Sequence, residues 1–106
     1  MVTPDRGDIV LISIEPRDGG GTARRPALVV SPARYNERAG LALMCAISSP
    51  TKGYPFEVAL PPGLPVEGVV LADHLRSADW EARQAKVVCR VPSDVVAEVL
   101  AKLKPL

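Results

Sequence analysis

Aromatic side chains are scarce in this sequence, which has one tryptophan, two tyrosines and one phenylalanine among 106 residues. Hydrophobic residues nevertheless make up 47% of the chain, enough to close one aliphatic core without staples, and a single domain over residues 1–106 is expected. Cysteine is rarer still, with two residues. Cys45 and Cys89 show no C-x-x-C spacing, which argues against a zinc site or a disulfide framework. Both lie inside apolar runs, where a free thiol behaves as a small buried hydrophobe. No stretch reaches the ~18 consecutive apolar residues of a membrane span. The N-terminal lead carries Asp5 and Arg6 and lacks the apolar segment of an export signal, so a cytoplasmic protein is expected. A formal net charge of +1 is too small for nucleic-acid binding by bulk charge. Distribution matters more, because Arg17, Arg24, Arg25, Arg34, Arg38 and Lys52 all fall in the first half and can form a local basic groove.

What the chain does have is one organising stretch, Arg24-Arg25-Pro26-Ala27-Leu28-Val29-Val30-Ser31-Pro32, in which two guanidinium groups precede a proline and an apolar run. Proline biases the preceding residue towards extended backbone, so Arg25 leaves the loop in a defined direction. Its planar fork of donors suits phosphate. Around this stretch, strands are expected over 9–14, 26–31, 41–48, 54–60, 66–72 and 86–91, with a bend at Gly68 and an edge or bulge at Pro55. The loop from Glu15 to Ala23, with three successive glycines, is expected to be mobile, and 32–38 to be an irregular or single-turn link. Residues 73–80 read as a polar, mixed segment. The clear helix is C-terminal, with Pro92 in the first helical position, a stripe of Val95, Val96, Val99, Leu100 and Leu103, and a Glu98–Lys102 pair on its polar side. Short strands with turn signals and one terminal helix indicate a mainly β protein, a small curved antiparallel sheet or barrel.

Few residues announce chemistry. Gly19-Gly20-Gly21 precedes a strand, not a helix, so it is not a phosphate-binding P-loop. The single histidine, His74, adjoins Asp73, but neighbours in an extended segment point to opposite faces, which argues against an acid–base pair.

Four blocks in order resemble one family. Gly7-Asp8-Ile9, the 24–32 stretch, Lys52-Gly53-Tyr54-Pro55-Phe56-Glu57-Val58 and Gly68-Val69-Val70-Leu71-Ala72-Asp73 with Leu75-Arg76-Ser77 look like the MazF/PemK toxins of toxin–antitoxin pairs. The resemblance implies a small SH3-like curved antiparallel barrel with a C-terminal helix. It also implies a homodimer that cuts single-stranded RNA at short motifs without metal or other cofactor, by 2′-hydroxyl attack, and that is inhibited by a MazE-like antitoxin with an acidic disordered segment. By position, the family's arginine falls on Arg25 and its hydroxyl residue on Ser48, where threonine is common. An aspartate used in the PemK branch falls on Asp73, although its partner arginine is Leu71 here. Arg17, Arg24, Thr51 and Lys52 are the expected RNA-binding residues around them. Two alternatives share the fold: a non-catalytic barrel acting as a binding module, and a gyrase-poisoning toxin. The second acts through a tryptophan in a C-terminal tail, whereas Trp80 precedes the helix here.

Overall fold

The computed structural model describes residues 2–14, 23–49 and 54–105. Strands β1 (Asp8–Ile14), β2 (Ala23–Val29), β3 (Ala42–Ser48), β4 (Glu57–Ala59), β5 (Val69–Ala78) and β6 (Lys86–Arg90) form one antiparallel sheet in the order β4-β5-β3-β2-β1-β6. Helix α1 (Ala33–Ala39) joins β2 to β3, and α2 (Ser93–Leu103) follows β6. The terminal strands β4 and β6 do not pair with each other, so the sheet is curved and open rather than a closed barrel.

The apolar runs of the sequence are continuous because both faces of this sheet are covered. Alternate residues go to opposite sides. Ile9, Leu28, Cys45, Ile47 and Val70 meet Val95 and Val99 of α2 on one face. Val10, Ala27, Val29, Met44 and Ala78 meet Trp80 and Ala85 on the other. The α2 stripe therefore packs on its own sheet: Val99 is fully buried, and Val96, Leu100 and Leu103 lie against the same cluster.

Several elements differ from the sequence-based expectation, each for a local reason. β2 begins at Ala23, because Arg24 and Arg25 pair with Ser13 and Ile12 of β1; both arginines lie within the strand rather than at its mouth. Pro26 is accommodated because β2 acquires its second neighbour, β3, only from Ala27 onward. β4 shrinks to three residues, as a turn bonding the Glu57 N–H to the Tyr54 carbonyl occupies its expected start. β5 runs through the polar segment to Ala78, because the first half of β3 pairs with it. Pro92 is the N-cap of α2, one position earlier than expected. Lys102 donates to the Pro55 carbonyl at 2.6 Å, tying α2 to the approach to β4.

Where a 32–38 link is expected stands α1, a helix of seven residues from Ala33 to Ala39, about two turns, and it is held from outside. Asp5 Oδ1 accepts the Ala33 N–H at 2.8 Å, a cap delivered from the N-terminal lead. That bond, opposed by burial and aided by the Arg6 N–H and the Arg90 guanidinium, holds the Asp5 carboxyl below its usual range. Gly40 ends the helix in the left-handed region at φ 70°, its N–H donating to the Asn36 carbonyl.

Asn36 itself is fully buried. Its Nδ2 donates to the carbonyls of Pro4 (2.8 Å) and Ser31 (3.0 Å), and its Oδ1 accepts from the Ser31 hydroxyl. Ser31 Oγ in turn accepts the Leu43 N–H at 2.9 Å, and the Trp80 indole donates to the Asn36 carbonyl at 2.9 Å. Removing the carboxamide strands several buried polar groups at once, at ~1–3 kcal/mol for each unsatisfied group. Asn36→Ala is expected to lower unfolding free energy by about 3 kcal/mol in urea titrations. A change below about 0.5 kcal/mol would show that the network is not structural.

Candidate functional site

On the face of the sheet away from α2 lies an open hollow of about 550 Å³. Strands β1, β2, β3 and β5 and the turn at 79–84 surround it. Its apolar lining includes Ile12, Pro26, Met44 and Leu71, and its polar lining is Arg25, Ser48, His74, Arg76, Ser77 and Arg83. Among the described lining residues there are three arginines and no carboxylate. Such a surface favours an anion.

Arg25 and Ser48, distant in sequence, thus open onto one cavity. Arg24, next in the chain to Arg25, goes the other way, as strand alternation requires, and lines a separate depression with Lys86 and Val87. Ser48 ends β3 opposite Val69, with its hydroxyl donating to the Ser49 carbonyl at 3.1 Å. The backbone at Ser48 is seated against Gly68, which adopts φ 131°; a Cβ there would collide with the Ser48 carbonyl oxygen. The bend expected at Gly68 is therefore a close approach of two backbones beside the hollow. Arg83 is brought in by the turn at 79–84, which is docked on β1: the Ser13 N–H donates to the Arg83 carbonyl at 2.9 Å, and Arg83 Nη1 reaches the Ser13 carbonyl at 3.3 Å.

The β3–β5 ladder decides what β5 contributes. Cys45 pairs with Leu75, but Ile47 pairs with Val70, so β5 carries extra residues between the two pairs. The excess is odd and reverses the facing of the strand. Before the shift, Val70 and Ala72 face the α2 side. After it, His74, Arg76 and Ala78 share the hollow. Asp73, on which the PemK-branch aspartate falls, is exposed and does not line the hollow. Its charge acts instead on Cys45, whose thiol is pushed up to about 11, first by burial and then by Asp73. Arg17, Thr51 and Lys52 lie outside the described residues. Arg76, Ser77 and Arg83 were not singled out from sequence. Continuing strand alternation past residue 72 would have put Asp73 in the hollow, and only the ladder shows the reversal.

Residues 5–106 match the family described as PemK-like, MazF-like toxin of type II toxin–antitoxin systems. The chain belongs to this family. It is 38% identical over 104 residues to the endoribonuclease toxin MazF of Escherichia coli strain K12, covering 97% of this chain and 93% of that protein. It is 36% identical over 111 residues to the endoribonuclease PemK of Escherichia coli, covering 96% and 80%. Its fold is similar to that of a MazE–MazF crystal structure from Deinococcus radiodurans, with a TM-score of 0.93 at 50% identity, covering 99% of this chain and 96% of that one.

Because Gly68 has no room for a side chain against Ser48, Gly68→Ala is expected to shift the end of β3. Stability should fall by ~1–3 kcal/mol, with the strained φ adding to the collision. Thermal unfolding of the variant tests this, and an unchanged midpoint would show that the two backbones can separate freely.

Proposed function

We propose that this chain is a sequence-specific endoribonuclease toxin that cleaves single-stranded RNA at the hollow, with Arg25 and Ser48 acting on the scissile phosphate. The observation that carries the reading is the convergence of Arg25 and Ser48 on one cavity whose described lining has three arginines and no acid. RNA brings its own nucleophile. As the 2′-oxygen bonds to phosphorus and the bond to the 5′-oxygen breaks, negative charge builds on the phosphoryl oxygens. Arg25, always protonated, is suited to stabilise that charge, and the Ser48 hydroxyl to donate a hydrogen bond to it. The 2′-hydroxyl gives its proton to solvent and the departing 5′-oxygen takes one up, so the products are a 2′,3′-cyclic phosphate and a 5′-hydroxyl, and no step calls for a metal ion.

Membership of a type II family implies control by a protein antitoxin, and similar folds include MazE–MazF complexes. The cytoplasm, where mRNA is translated, is the proposed place of action; no helix among the described residues is long and apolar enough to cross a membrane. The gyrase-poisoning alternative finds no support in Trp80, which is buried and bonded to Asn36.

Arg25→Ala is expected to slow cleavage about a hundredfold, the loss of ~3 kcal/mol of transition-state stabilisation. Ser48→Ala should cost less, Ser48→Thr should be tolerated, and Arg24→Ala should have little effect. Timed cleavage of a long single-stranded RNA in excess EDTA, with product ends mapped, checks these rates. Inhibition by EDTA, cleavage at a 2′-deoxy position, or wild-type activity in folded Arg25→Ala would overturn the mechanism.

We also propose a homodimer. Past the bond from the Ala72 N–H to the Phe56 carbonyl, no strand among the described residues pairs with β5 on the side away from β3, and Leu75 (42% exposed) lies in that stretch, with Leu41 (37% exposed) just before β3. Sedimentation at micromolar concentration should show a dimer that Leu75→Asp dissociates; a wild-type monomer would rule it out.

A further inference from the structure

We propose that His74 reads a nucleobase beside the cut and is thereby a determinant of which RNA sequence this toxin cleaves. The inference rests on the hollow being the cleavage site and assigns a specificity role within it. The register shift of β5 brings the imidazole, not the Asp73 carboxylate, to the cavity. Arg25, Arg76 and Arg83 already supply the charge that would hold phosphates there. Phosphate contacts position a nucleic acid but are the same for every sequence.

Apart from the hydroxyls of Ser48 and Ser77, which carry no ring for a base to stack on, the remaining lining divides into two kinds of surface. Ile12, Pro26, Met44 and Leu71 offer apolar contact on which a base can lie, without donors or acceptors in their side chains to tell one base from another. His74 is the only aromatic ring among the described lining residues. An imidazole combines a flat face for stacking with two ring nitrogens at its edge for hydrogen bonding. Single-stranded RNA is recognised through that combination, with splayed bases stacked on rings and read along their edges. His74 is also exposed, so its ring is open to a ligand.

The test uses the full chain and synthetic RNA oligonucleotides. A long RNA of mixed sequence first locates the preferred cut, and oligonucleotides carrying each of the four bases at every flanking position are then compared by kcat/KM. His74→Ala is expected to lower discrimination at one flanking position by about tenfold, leaving preferences at the other positions in place. His74→Gln, which keeps a donor and an acceptor without the ring, should alter the preferred base at that same position. A uniform fall for all oligonucleotides would reveal a merely structural role, and an unchanged preference profile would equally overturn the proposal. Arg25→Ala, measured in parallel, separates the two readings. If it cuts normally, the site assignment itself fails; if it is slow while both His74 variants keep the wild-type preferences, only the role of His74 fails.

Discussion

The buried carboxamide of Asn36 ties together pieces of the chain that lie far apart in sequence. Its side chain bonds the N-terminal lead at Pro4 and the end of the β2 segment at Ser31, while its carbonyl receives Trp80 from beyond β5. A polar group so deep is costly unless every donor and acceptor is matched, and here two backbone carbonyls and a hydroxyl match the carboxamide, while the indole meets the backbone carbonyl of the same residue. The hollow depends on this arrangement at one remove. Trp80 opens the turn that carries Arg83, and Met44 and Ala78 belong both to the cluster around Trp80 and to the cavity lining.

The second constraint is the mismatch between β3 and β5. A central ladder with perfect pairing would keep one facing along the whole of β5. The shift between Cys45 and Ile47 lets the strand serve two environments, with Val70 and Ala72 completing the core beneath α2 and His74 and Arg76 completing the hollow. Bulges of this kind bend a strand and redirect its side chains. Here one also separates Asp73 from the arginines and sets it near the Cys45 thiol.

Much of the architecture was legible because it rests on local patterning. The apolar runs at 9–14 and 41–48 and the α2 stripe carry their periods in the sequence, and the Arg25-Pro26 step and Ser48 could be placed by resemblance. What was hidden depends on distant partners. Helix α1 looks too short to stand alone, and it persists because Asp5 and Asn36 tie it to elements far away in the chain. The polar half of β5 has no strand-like alternation of hydrophobicity, since its facing is set by the β3 ladder and not by its own residues. Arg76 could not be assigned to the site for the same reason, nor Arg83, whose turn is placed by its bonds to Ser13 of β1.

The shift in β5 makes pairing register, as well as residue identity, a variable of this site. A slip of one residue in the pairing beyond the shift would exchange the two sides of everything downstream, turning an imidazole and a guanidinium away and presenting a carboxylate and a leucine instead, with no substitution at any of these positions. Roles can therefore be carried between relatives only after the residues spanning this shift have been counted. Along the same ten-residue strand, an aligned letter and an aligned side chain are different things.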